Sequence, residues 1–198
     1  MIEFNYTINQ DEITISLKTN SVEIGTFHRM AAVIYSLDWD IISGDIRTIE
    51  ENGTKYSFDI LKLRTETKNP ASKAMELGIL METVFSGKAE LSDLLKEKKI
   101  KPIEPKTFFK QRAELIFEDD LEKQATVFYI EAKSAKGLLY HVTKVLVEYR
   151  IDILNGNIFT DPHTGLAQDT FYLVDEAGQM FGKTSKAEAI RDKILKPF

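Results

Sequence analysis

The stretch Gly137-Leu-Leu-Tyr-His-Val-Thr-Lys-Val-Leu-Val-Glu-Tyr-Arg-Ile-Asp-Ile-Leu-Asn-Gly-Asn-Ile-Phe-Thr160 decides the fold. Leu139, Val142, Leu146 and Tyr149 recur at helical spacing behind a glycine, which predicts an amphipathic helix. After a very short corner, the residues from Asp152 onward read as a half-buried strand. A diluted copy lies far upstream. With Gly25 placed on Gly137, no gap is needed as far as Gly53. Eight columns are then identical: Gly25/Gly137, Val33/Val145, Asp40/Asp152, Ile41/Ile153, Gly44/Gly156, Ile46/Ile158, Thr48/Thr160 and Gly53/Gly165. Average residue usage would give about two. The apolar stripe superposes as well, Phe27 on Leu139, Met30 on Val142, Ile34 on Leu146 and Leu37 on Tyr149.

Working outward, each copy is preceded by a predicted hairpin. In the first, Ile2, Phe4, Tyr6 and Ile8 alternate with polar residues, as do Ile13, Ile15 and Leu17 beyond the turn at Asn9-Gln10-Asp11. In the second, residues 112–118 and 127–132 play these parts, with Ile15 aligned on Phe128 and Leu17 on Ile130. Each copy continues into another strand (Tyr56, Phe58 and Ile60; Phe171 and Leu173) and a closing helix, capped by Asn69-Pro70 or by Thr184. The connector carries Leu91, Leu94 and Leu95, the basic run from Lys96 to Lys101, and the breakers Pro102 and Pro105. The expectation is an α+β chain of two ferredoxin-like βαββαβ domains, residues 1–87 and 107–198, joined by a linker, 88–106. An extra hairpin strand precedes each, and the helices lie on one face of an antiparallel sheet. Within the strand after the first helix, Ile42, Gly44, Ile46 and Thr48 should share one face, and Ile41, Ser43, Asp45 and Arg47 the other. Gly44 and Gly156 predict a close backbone approach there, by the first helix of the same unit.

Composition narrows the function. The 198 residues are 43% hydrophobic and 29% charged, with a net charge of -5. That balance argues against nucleic acid, which demands a basic footprint. There is no cysteine, hence no disulfide frame. No apolar run reaches the roughly 20 residues that span a bilayer, and no secretory leader is visible, so a cytoplasmic location without membrane contact is expected.

With the repeat established, a family resemblance can be named. The chain resembles two ACT domains. The second copy is similar to the C-terminal ACT repeats of the bacterial uridylyltransferase/uridylyl-removing enzymes that sense glutamine. The resemblance rests on Gly137-Leu-Leu-Tyr140, Asp152-Ile153 and Asp169-Thr-Phe-Tyr-Leu-Val-Asp175. It is good over residues 112–196 and weaker over 2–87, and the nucleotidyltransferase and phosphohydrolase domains of those enzymes have no counterpart. The resemblance implies a regulatory protein without catalysis or cofactor. It would bind an amino acid at a domain or subunit interface, with a homodimer and a nitrogen-regulation protein as partners. The alternatives are an interaction module without ligand, or a regulatory subunit acting in trans on a uridylyltransferase. In the family, the ligand sits where the loop before the first helix meets the second strand of a paired unit, which selects Ser134, Lys136, Gly137, Asn155 and Asn157, with Gly25 as the first-copy counterpart. Free amides at a helix start favour a carboxylate there, and Lys136 adds charge. The usual Asp-x-Pro-Gly entry of such sensors is replaced by Ser134-Ala-Lys-Gly137 and Ser21-Val-Glu-Ile-Gly25.

Other motifs carry no chemistry. Asp38-Trp-Asp40 is shaped like a metal carboxylate pair, but Asp38 is replaced by Arg150 in the second copy, so a structural corner is expected. Gly182-Lys-Thr184 lacks the first glycine of a phosphate loop. His28, His141 and His163 are too scattered to bind a metal, and the first two, off the main stripe, are expected at the surface.

Overall fold

In the computed structural model, residues 2–10, 12–64, 66, 69–99, 103–110 and 113–196 are described; Asp11, Lys101, Pro102 and Arg112, which figure in the sequence reading, lie outside them. The first half runs β1 (Ile2–Asn9), β2 (Glu12–Thr19), α1 (Thr26–Ser36), β3 (Asp40–Glu51), β4 (Thr54–Arg64) and α2 (Pro70–Phe85). Two short helices follow, α3 (Leu91–Glu97) and α4 (Lys106–Phe109). The second half repeats the order as β5 (Glu114–Asp120), β6 (Ala125–Lys133), α5 (Leu138–Glu148), β7 (Ile151–Phe159), β8 (Leu166–Asp175) and α6 (Ser185–Ile194).

All eight strands form one antiparallel sheet in the order β1-β2-β4-β3-β7-β8-β6-β5. The seam between the halves is β3 against β7, with Asp45 opposite Asn157 and Arg47 opposite Asn155. Over it, α1 packs on α5. The ferredoxin-like α+β plan is therefore present in a permuted form. The leading strand of each hairpin, β1 or β5, takes the outer position beside β2 or β6, and among the described residues neither α2 nor α6 is followed by a further strand of its own half. An antiparallel pair needs only a short turn, so a hairpin strand fills that place at little entropic expense.

The alternation in β2 shows why the sheet has one covered face. Ile13, Ile15, Leu17 and Thr19 are buried, while the residues between them are partly open. Leu61 and Leu63 of β4, Ile46 of β3, Ile158 of β7, Phe171 of β8, and Phe128 and Ile130 of β6 continue the same layer. Leu94 of α3 and Phe108 of α4 are also buried.

Two local readings need correction. A bulge in β3 between Ile41 and Ser43 breaks the simple alternation. It leaves Ile41 on the helix side, while Ile42 joins Ser43 and Phe159 on the far side. The glycines inside the strands are not required by a helix. A Cβ on Gly44 would lie 2.5 Å from the Leu61 side chain and 2.7 Å from the Ile60 carbonyl; one on Gly156 would lie 2.7 Å from the Phe171 ring. The close neighbours are residues of the adjacent strands, whose large side chains fold over the glycine. We predict that Gly44→Ala and Gly156→Ala each lower stability by about 1–3 kcal/mol. Gly44→Ala has the larger effect, because a carbonyl yields less than a ring. Urea midpoints measure both.

Candidate functional site

The two glycine starts are built alike. Gly25 and Gly137 have φ of 95° and 89°, a left-handed conformation that disfavours any side chain. In each loop the next amide turns back onto the loop, Thr26 to the Glu23 carbonyl and Leu138 to the Ala135 carbonyl. The two following amides, of Phe27 and His28 or of Leu139 and Tyr140, have no acceptor among the described residues. Each helix thus presents two free donors at its positive end, where an anion is favoured.

Each loop faces the other half of the chain. The Gly25 cleft is closed from across the seam by Thr143, Leu146 and Val147 of α5 and by Ile151, Asp152 and Ile153 at the start of β7. The Gly137 cleft is closed by the residues 112 positions earlier, Ala31, Ile34, Tyr35, Trp39, Asp40 and Ile41. The strand floor corresponds in part: Ser57 in one and Ala167 in the other hold the same register position, opposite Thr48 and Thr160, while Lys55 lines only the first and Asp169 only the second. These are two copies of one interfacial site, related by the internal repeat.

They differ in what fills them. In the Gly137 copy, Tyr35 stacks on Tyr140 with ring centroids 5.2 Å apart, and a Cβ on Gly137 would lie 2.8 Å from the Tyr35 ring. Trp39 adds bulk, leaving a cavity of about 20 Å³. In the Gly25 copy the same positions hold Val147, His28 and Ile151, and the cleft measures about 220 Å³. Its walls are apolar (Phe27, Ile46, Leu146, Val147, Ile153), with Thr26, Thr48, Ser57, Thr143, Lys55 and Asp152 as polar groups. Burial raises the carboxyl pKa of Asp152 above its usual range. Glu23, at the rim, is held ionised by Arg29 at 2.7 Å.

The residues chosen from sequence are only partly brought together. Ser134 and Gly137 line the narrow cavity, where the Ser134 hydroxyl meets that of Thr160 at 3.1 Å. Lys136 points to the rim and pairs with Asp38 at 2.9 Å. Asn155 and Asn157 lie elsewhere: both are exposed on the uncovered face of the sheet, because Gly156 and Ile158 between them take the helix side. The bulge between Ile153 and Asn155 helps set that parity. Gly25 lines the larger cleft. Missed altogether were the residues that close each cleft from the opposite half. The repeat contained the signal, since Tyr35 and Val147 share a column, but not the fact that each column serves the other copy's loop.

The histidines also move inward. His141 is buried, with Nε2 2.7 Å from the Ile194 carbonyl. His28 stacks on Tyr140 at 5.4 Å and its Nδ1 lies 3.1 Å from the Thr143 hydroxyl. Helices that meet both the sheet and each other bury more than one stripe, which puts these off-stripe positions inside. Desolvation lowers both histidine pKa values, that of His28 to about 4.

No protein-family profile matches the chain. Among curated proteins, it is 27% identical over 176 residues to the bifunctional uridylyltransferase/uridylyl-removing enzyme of Azospirillum brasilense. It is 23% identical over 173 residues to the enzyme of the same name from Erythrobacter litoralis. It resembles one segment of these enzymes. Each alignment takes in 86% of this chain and 18% of the relative, so the chain spans less than a fifth of their length. Among solved structures, aspartate kinase from Synechocystis aligns with a TM-score of 0.48 and 14% identity, over 94% of this chain and 27% of the other.

Two pairs of buried groups oppose each other in their response to pH. Burial raises Asp59 and Asp169 to about 7. Between about pH 4 and 7 the folded state therefore holds protons that the unfolded state has released, and stability falls as pH rises. The histidines act the other way: their lowered pKa values remove stability as pH falls below about 6.5, for His28 down to about 4. Asp59→Asn should expose the histidine effect. Urea unfolding at pH 6.5 and 4.5 should show a larger loss on acidification in the variant than in the wild type.

Proposed function

We propose that the chain is a non-catalytic regulatory module of ACT type that binds a free amino acid in the Gly25 cleft. One observation carries this reading: a cleft of about 220 Å³, built from both halves, lies at the start of α1 beside the free amides of Phe27 and His28. The ligand carboxylate would take those amides with help from Lys55, and Asp152 across the seam would take the ammonium. The apolar wall would receive a side chain of modest size. Such a ligand bridges the two halves, so it favours the docked arrangement by its differential affinity for it. The segment-wise likeness to uridylyltransferase/uridylyl-removing enzymes supports a regulatory role, and the Asn155 and Asn157 contacts are dropped from the site.

A thermal-shift panel of the common amino acids tests the reading. A ligand at one hundred times its Kd adds about 2.7 kcal/mol of stability. Val147→Tyr, which copies Tyr35 into the open cleft, should abolish that gain. A panel with no stabilising member, or a gain that survives Val147→Tyr, would sink the idea.

A second role, self-association, is favoured by a specific feature of the outer edge. Tyr6 and Ile8 of β1 and Met75 and Ile79 of α2 are exposed, the last two by 60% and 63%. Strand β1 bears one charge, Glu3, whereas the opposite edge strand β5 bears Glu114, Glu118, Asp119 and Asp120. Like charges keep β5 edges apart, but two β1 strands centred on Asn5 would set Glu3 against Thr7 without repulsion. The partner proposed for this edge is a second copy of the chain. Sedimentation equilibrium should give a dimer that Ile79→Lys converts to monomer; a wild-type monomer at about 100 µM, well above a micromolar Kd, would contradict it.

A further inference from the structure

We propose that the narrow Gly137 cavity, which cannot take an amino acid, is a site for one small ammonium cation, ammonium itself or methylammonium. The cavity of about 20 Å³ suits a single occupant of water size. Two carboxylates, Asp40 and Asp169, and the rings of Tyr35, Trp39 and Tyr140 line it. Asp169 is 1% exposed; its Oδ1 accepts from the Phe159 amide at 3.1 Å, and its Oδ2 has no hydrogen-bond partner among the described residues. Once Asp169 is ionised, above about pH 7, its donorless buried oxygen is costly, so a cationic donor placed there is favoured and the titration is done above that pH. The charge of Asp40 already bears on Asp169. Of the nearby cationic side chains, Lys136 is engaged by Asp38 and Arg64 acts on Asp40, and neither bonds to Asp169 Oδ2. Ammonium fits this surround better than a metal ion does. Hard metal cations ask for six or more oxygens, and no group of three or more metal-binding side chains occurs among the described residues. Ammonium is served by a few acceptors and by aromatic faces. The two clefts differ in volume rather than in this carboxyl group: Asp59 holds the register position of Asp169 in the first half, whereas Tyr35 stands where the Gly25 copy has Val147.

Trp39 is the sole tryptophan and lines the cavity, so its fluorescence reports the site directly. The chain would be titrated with ammonium and methylammonium chloride at constant ionic strength held by tetramethylammonium chloride, with sodium chloride as a further control. The titration is repeated in Val147→Tyr, which closes the Gly25 cleft, so the result does not depend on the amino-acid reading. A saturable change with ammonium and methylammonium, retained in Val147→Tyr and weakened at least about tenfold by Asp169→Asn, is expected. Asp40→Asn, on the exposed side of the pair, serves as a second variant and should weaken the response likewise. Equal responses to all salts, no response at all (a bound water only), or a response that survives both carboxylate variants would overturn the proposal.

Discussion

The structure depends on the seam where β3 pairs with β7 and α1 packs on α5. Each half by itself would leave a strand edge and a helix flank open to water. Docking pairs the edge and buries the flank in one step, with His28, Tyr140 and Tyr35 stacked in sequence across the helix pair. The same docking creates both clefts, since each glycine loop lacks a wall until the other half supplies one. Any ligand held there contacts both halves, so binding and docking are thermodynamically linked.

Duplication made the two clefts equivalent in backbone, and substitution made them different in content. The free amides recur at Phe27/His28 and Leu139/Tyr140. A few side chains decide the rest. Tyr35, Trp39 and Tyr140 occupy one site, and Val147, Ile151 and His28 leave room in the other. Aromatic rings that fill a site also stabilise the seam, whereas the open site leaves about 220 Å³ unfilled. On the proposed reading, this division is why only the Gly25 cleft has room for an amino acid.

Much of the fold was legible in the sequence because hydrophobic periodicity and glycine placement are local signals. The stripe from Phe27 to Leu37, the alternation from Ile13 to Leu17, and the caps at Asn69 and Thr184 all match the elements observed. What failed depends on contacts between distant segments. A single bulge moved Ile41 and Ile42 to opposite sides. His28 and His141 looked peripheral on an isolated helix wheel and became interior when helix met helix. Asn155 and Asn157 were placed near the glycine loop by analogy, yet strand parity turns them to the other face. The walls of each cleft come from the opposite repeat, and no pattern within one repeat announces that.

The central claim is that one of two equivalent clefts, the one at Gly25, is receptive to an amino acid. Amide chemical shifts measured during titration with a stabilising amino acid test it most directly. The account predicts saturable shifts at Phe27 and His28 and, across the seam, at Val147 to Ile153, with Leu139 and Tyr140 unmoved. Shifts centred on Leu139 and Tyr140, or confined to the uncovered sheet face around Asn155 and Asn157, would contradict it.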